Sequence, residues 1–88
     1  MKTLTAQVPE PVTLYYREGR SDKVYQLAME PDGDRFAVTF AYGRRGSTLN
    51  TGAKTELPVD YPEAKALFDK LVREKLAKGY TFGPAGNP

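Results

Sequence analysis

The 88-residue chain contains no cysteine and no histidine. Without cysteine it can form no disulfide bond, no thiolate metal site and no cysteine nucleophile. Without histidine it lacks the usual general base near neutral pH and most ligand sets that hold zinc or iron. A serine–lysine or carboxylate site would need a cleft that few single small domains provide. We therefore predict a protein that is not an enzyme and that uses no metal and no cofactor.

The chain also lacks a strong charge bias and a long apolar run. Its 13 basic and 11 acidic residues give a net charge of +2, so long-range steering toward an anionic partner would be weak. Binding to nucleic acid would therefore have to rest on local clusters of positive charge. The sequence has neither a signal-peptide pattern nor the roughly 20 apolar residues of a membrane span. We expect a cytoplasmic protein without a membrane partner.

The length allows one small domain. "QVPEP" near the start carries Pro9 and Pro11, "FGPAGNP" at the end mixes glycine and proline, and neither stretch has a hydrophobic period. Such composition predicts flexible tails over residues 1–11 and 83–88. The folded body is then expected over residues 12–82.

The first half of this body has the residue pattern of β-strands. "VTLYYRE" (12–18) and "KVYQLAME" (23–30) are rich in β-branched and aromatic residues, and "DRFAVTFAY" (34–42) alternates between apolar and small or polar residues. "PDGD" between the second and third of these runs is typical of a hairpin turn, with Gly33 supplying the positive φ. A fourth strand is predicted within "NTGAKTEL" (50–57).

The second half predicts one amphipathic helix. Asp60 is a suitable N-cap, with Pro62 in the first turn and Glu63 three residues after the cap. Lys78 and Gly79 fit the C-terminal end. The apolar stripe between the two ends comprises Ala64, Leu67, Phe68, Leu71, Val72 and Leu76. The predicted fold class is α+β: a small twisted antiparallel sheet of about four to five strands, covered on one face by the helix.

The segment "YGRRG" at the end of the third predicted strand is the main candidate for a binding site. Taken alone, Gly43 and Gly46 fit an ordinary turn in which Arg44 and Arg45 are merely solvated. The functional alternative is that the glycines let an anion approach the backbone while the guanidinium groups grip its oxygens. Tyr42 would then offer a stacking plane to a base or sugar.

The position of the Tyr42 ring decides between these alternatives. Tyr42 continues the alternation of Phe36, Val38 and Phe40, so periodicity alone predicts that the ring points into the core. A ligand could reach the ring only through a β-bulge near Ala41 or from a position at the sheet margin.

The order of these features resembles the WGR domain, a family named for a Trp-Gly-Arg signature. The similarity extends over residues 14–80. It rests on "YGRRG" after a strand, on the spacing of Ala64 and Phe68 in the next helix, and on "KGY" (78–80) at the end of that helix. The family includes a module of DNA-damage-responsive poly(ADP-ribose) polymerases and many small bacterial proteins.

Gly43 and Arg44 match the signature, whereas Tyr42 stands where the family has its tryptophan. In the polymerases, the resemblance implies that the tryptophan packs against the terminal nucleotide of a DNA break. The arginine is implied to reach the DNA backbone or a neighbouring domain. Tyr42 would present a smaller ring without an indole N–H. The polymerase catalytic domain has no counterpart in this sequence, so ADP-ribosyl transfer is not implied.

Two functions remain open on the sequence. In the first, the chain is a nucleic-acid-binding module that contacts the DNA backbone or a DNA end, with Arg44 on a phosphate, Arg45 assisting and Tyr42 stacking. The predicted binding residues are Tyr42, Gly43, Arg44, Arg45, Gly46, Arg20, Lys23 and Lys54. In the second, the chain is a protein–protein adaptor that docks an acidic partner through the same loop or a sheet edge.

Overall fold

The computed structural model describes residues 8–83. Its elements are β1 (Val12–Glu18), β2 (Ser21–Asp32), β3 (Arg35–Arg44), β4 (Asn50–Ala53) and α1 (Tyr61–Ala77). The strands form one four-stranded antiparallel sheet in the order β1-β2-β3-β4, with α1 packed on one face, which confirms the predicted α+β class. The tails predicted over 1–11 and 83–88 lie mostly outside the described residues. Between residues 8 and 83, no helix combines the length and apolar character that crossing a membrane requires.

The strands form a meander of antiparallel hairpins. β1 pairs with β2 along its whole length, and β2 pairs with β3 from Asp32↔Arg35 at one end to Lys23↔Arg44 at the other. Gly33, with a φ of 65°, provides the positive φ that was predicted for the turn between β2 and β3. The long β2–β3 hairpin is therefore the frame of the domain.

Strand β3 continues two residues further than the sequence pattern predicts. Gly43 pairs with Val24, and Arg44 pairs with Lys23, so both belong to the strand and not to a loop. Gly43 has a φ of 156°, and a Cβ at this position would lie 3.1 Å from the Cδ2 of Leu49. A larger residue would disturb this close approach. Because β3 continues through Gly43 and residues two apart in a strand share a face, Arg44 lies on the same face of the sheet as Tyr42.

Helix α1 covers the central part of one sheet face. Asp60 caps its start by accepting a hydrogen bond from the Glu63 N–H at 3.2 Å, as predicted. The helix ends at the C-cap Lys78, and Gly79 follows with a φ of 108°. The core that it closes consists of Tyr25, Leu27, Met29, Phe36, Val38, Ala64, Phe68 and Leu71. Burying an aliphatic or aromatic side chain of this kind contributes about 1.5–3 kcal/mol.

The helix is followed by a return of the chain to the outer edge of the sheet. Thr81 and Tyr15 exchange two backbone hydrogen bonds, each 2.8 Å long. This bridge brings Tyr80, the preceding residue, against Tyr16, with 5.4 Å between the ring centroids. The C-terminal end of α1 and the strand ends that carry Tyr25 and Tyr42 therefore enclose one surface.

Candidate nucleic-acid interface

Tyr42 lies at the margin of the sheet face that carries the helix. Its side of the sheet is the one that the alternation predicts, because Tyr42 pairs with Tyr25 in an unbroken register without a bulge. The expectation that its ring points into the core is nevertheless wrong, since Tyr42 is 45% exposed. Helix α1 covers Val38, which lies four residues earlier on the same face of β3, but leaves Tyr42 open. A ring at the sheet margin is accessible to a ligand.

The exposed Tyr42 ring is supported by other aromatic rings. Its centroid lies 6.0 Å from that of Phe40 and 6.5 Å from that of Tyr25. Tyr25 is only 5% exposed and also contacts Tyr80, with 6.5 Å between centroids. Aromatic pairs at such separations attract each other beyond the effect of simple burial. Tyr25 therefore acts as a buried support that connects Tyr42 with Tyr80.

Lysine side chains lie over several of these rings. Lys75 Nζ is 4.3 Å from the centroid of Tyr25, Lys54 Nζ is 5.0 Å from that of Phe40, and Lys23 lies over a third ring. Partial burial lowers the pKa of Lys75, and the positive charges of nearby lysines, first Lys78, lower it further. Positive charges therefore lie close together on this surface, and an anionic ligand would reduce the repulsion between them.

The two neighbouring arginines of "GRRG" have different surroundings. Arg44 donates a hydrogen bond from Nη1 to the backbone oxygen of Arg20 at 2.9 Å, and its guanidinium stays exposed. Arg45 instead grips Asp22: Nε lies 3.1 Å from Oδ1, and Nη2 donates to Oδ2 at 3.1 Å. The Arg45 N–H also donates to the Asp22 backbone oxygen at 2.8 Å. Arg44 is available to a ligand, whereas Arg45 is occupied in holding the turn.

Most of the predicted site residues lie around one concavity. A cavity of about 470 Å³ is lined by Arg20, Ser21, Asp22, Lys23, Val24, Tyr42, Gly43, Arg44 and Tyr80. Lys54 lies in an adjoining cavity of about 310 Å³, together with Tyr42, Lys75 and Tyr80. Arg45 and Gly46 line neither cavity.

Sequence reasoning missed the half of this surface that comes from the helix end and the residues after it. Lys78 was expected only at the C-terminal end of the helix, and Lys75 and Tyr16 were not among the predicted site residues. Tyr80 was noted only as part of "KGY". The spacing of Lys75 and Lys78, three residues apart at the helix end, indicates a shared position. Their placement beside Tyr16 depends on the bridge between Thr81 and Tyr15. No local sequence pattern predicts this bridge.

The fold is a small α+β domain whose surface around Tyr42 presents aromatic rings and positively charged side chains. The sequence model of the WGR domain matches residues 11–86. The chain therefore belongs to the WGR family, as the resemblance indicated. The WGR domain is a non-catalytic module known from nucleic-acid-binding proteins. Searches of curated proteins and of solved structures returned no match.

Proposed function

We propose that this domain binds nucleic acid, contacting the backbone or an end of DNA through the surface around "YGRRG", and that it catalyses no reaction. The main support is the exposure of the Tyr42 ring next to Arg44 and Lys23 around one cavity. A ring that can stack and cations that can pair with phosphate are the two components of sequence-independent nucleic-acid binding.

Each group has a distinct role in this proposal. Tyr42 stacks on a terminal base or sugar, replacing the tryptophan of the family signature. Arg44 pairs with a phosphate, for which the planar guanidinium fork is well suited. Lys23 and Lys54 contribute positive charge on either side of Tyr42. Arg45 assists without contacting the ligand, because its ion pair with Asp22 fixes the turn that follows Arg44.

The charge available to a ligand sets the strength and the salt dependence of binding. Arg44, Arg20, Lys23 and Lys54 would neutralise about two to four phosphates, which corresponds to a log–log salt slope of about −2 to −4. The net charge of +2 adds little long-range attraction. Phosphate contacts do not distinguish bases, so we expect selection of DNA structure, such as ends or nicks, over sequence.

Fluorescence anisotropy tests the proposal. Labelled blunt, nicked and single-stranded oligonucleotides are titrated at low and at physiological salt with the wild type, Arg44→Ala and Arg35→Ala. Arg35 is the matched control because it is exposed at the opposite end of β3, so both variants lose one positive charge. We expect Arg44→Ala to weaken binding and to reduce the salt slope by about 1. Arg35→Ala should stay close to the wild type.

Two results would overturn the proposal. One is the absence of binding to every oligonucleotide at low salt. The other is an equal loss of affinity in Arg44→Ala and Arg35→Ala, since binding would then follow total charge and not this surface. Either result would turn attention to the alternative, an adaptor that docks an acidic protein partner.

A further inference from the structure

Three adjoining cavities form one groove that continues past Tyr42 along the end of the sheet. The cavity of about 470 Å³ around Arg44 and the cavity of about 310 Å³ around Lys54 share Tyr42 and Tyr80. A cavity of about 360 Å³ lies on the other side and is lined by Tyr16, Ser21, Lys23, Lys75, Lys78 and Tyr80. Tyr80 therefore stands where all three meet. We call this continuous surface the ring-and-lysine groove.

The groove is larger than one stacked base pair requires. The Tyr42 ring alone offers a platform for the end of a duplex. Beyond it, Tyr80 and Tyr16 are partly exposed rings, with 5.4 Å between their centroids. Lys23 and Lys75 are placed next to these rings, with Nζ 5.7 Å from the Tyr16 centroid and 5.6 Å from the Tyr80 centroid. Partly exposed aromatic rings and lysine amines therefore lie next to one another along this surface.

This combination of rings and amines matches the chemistry of an unpaired nucleic-acid strand. Bases inside a duplex stack on one another and offer no free face to a side chain. Unpaired bases can lie on aromatic rings one after another, while amines neutralise the phosphates between them. The groove beyond Tyr42 therefore suits a single strand better than it suits a duplex.

The charges in the outer part of the groove are not balanced within it. The cavity with Lys23, Lys75 and Lys78 has no carboxylate in its lining. Glu18 lies nearby but accepts a hydrogen bond from the Tyr16 hydroxyl at 2.6 Å. Repulsion by neighbouring lysines is one cause of the lowered pKa of Lys75, and the carboxylate of Glu74 opposes this effect only in part. Phosphate groups entering the groove would balance this charge.

We propose that the ring-and-lysine groove holds a single-stranded extension of about two to three nucleotides that continues from a duplex end seated on Tyr42. The inference rests on the proposed function and adds the class of DNA end: one with an overhang, not a blunt one.

The test compares one duplex in three forms: blunt, with a short 3′ overhang and with a short 5′ overhang. Anisotropy gives the ratio of overhang affinity to blunt affinity. Stacking of one further base predicts a ratio of roughly ten for at least one overhang. Lys78→Ala should reduce this ratio toward one. Lys70→Ala, which removes the same charge from an exposed position elsewhere on α1, should leave it unchanged.

The outcomes separate this inference from the proposed function. Equal binding of blunt and overhang duplexes would overturn the inference while the proposed function stands. An equal effect of Lys78→Ala and Lys70→Ala on the ratio would also overturn it. If neither these duplexes nor the single-stranded oligonucleotides bind, the proposed function itself fails. Circular dichroism spectra identical to the wild type show that each variant is folded, because Lys78 caps the helix through its backbone N–H and not its side chain.

Discussion

Arg44 and Arg45 are neighbours in sequence, yet the structure predicts that their replacement by alanine changes two different properties, DNA affinity and stability. Arg45→Ala removes both side-chain contacts to Asp22 and leaves the backbone hydrogen bond between these two residues in place. Arg44→Ala removes one exposed hydrogen bond to the backbone oxygen of Arg20. We expect the first variant to lose stability and the second to lose affinity for DNA.

The magnitude follows from the exposure of the ion pair. The side chains of Arg45 and Asp22 are 35% and 25% exposed, so the pair is neither buried nor free in solvent. Exposed pairs contribute about 0.2–1 kcal/mol, and the two-pronged geometry places this one at the upper end, about 1 kcal/mol. Water can solvate the Asp22 carboxylate that remains, so the larger cost of a buried unpaired charge does not apply. Arg44→Ala should change the free energy of unfolding by about 0.5 kcal/mol or less.

Thermal unfolding and anisotropy are measured on both variants. For a domain of this size, about 1 kcal/mol lowers the Tm by roughly 4–8 °C in Arg45→Ala, while the Tm of Arg44→Ala stays close to the wild type. Asp22→Ala in the Arg45→Ala background should add little further loss, because the partner is already gone. Equal Tm values for the two single variants would refute the conclusion that the ion pair between Arg45 and Asp22 stabilises the fold. A larger loss of DNA affinity in Arg45→Ala than in Arg44→Ala would refute the assignment of Arg44 to the ligand.

Three further predictions concern single side chains. Gly43→Ala should destabilise the domain by roughly 1–3 kcal/mol in urea unfolding, because the added Cβ would meet Leu49. The control is Gly83→Ala, whose added Cβ has no atom within 4 Å; its free energy of unfolding should stay within about 0.5 kcal/mol of the wild-type value. Tyr42→Leu should lose about 1–3 kcal/mol of DNA-binding free energy in the anisotropy assay, and Tyr42→Phe should retain most of it; equal affinities for the two variants would exclude stacking. Burial raises the pKa of Tyr25 above its ordinary value, so the unfolded chain ionises first and stability falls as the pH rises above about 10. The Tm of Tyr25→Phe should therefore fall less steeply than that of the wild type over the same alkaline range.

Elements with a strong local pattern were predictable from the sequence. Strand β1 has the bounds that its residue pattern indicates, and Asp60 caps the helix through the N–H three residues later. The end of β3 was not predictable in the same way. Gly43 belongs to the strand because it pairs with Val24, and its missing side chain leaves room for Leu49, which lies in a segment without a regular pattern.

The environment of the site residues depended on how the elements meet. Periodicity placed Tyr42 on the correct face, but whether a residue on that face is covered depends on where the helix lies. Likewise, Arg45 is held by Asp22, 23 residues away in the chain, through the register of the β2–β3 hairpin. Local sequence patterns predict on which face of the sheet a side chain lies. Tertiary contacts decide whether that side chain is buried and which residues it contacts.

The bridge between Tyr15 and Thr81 has a consequence for contacts between copies of the domain. Strand β1 is an outer strand, and its free edge could pair with the edge of another molecule. The bridge occupies the N–H and the carbonyl of Tyr15 in the middle of that edge. On the opposite side, β4 is only four residues long, and Val59 covers β3 at Phe36. Among the described residues, neither side of the sheet offers a long unpaired edge, so edge-to-edge strand pairing between copies of the domain should be unfavourable.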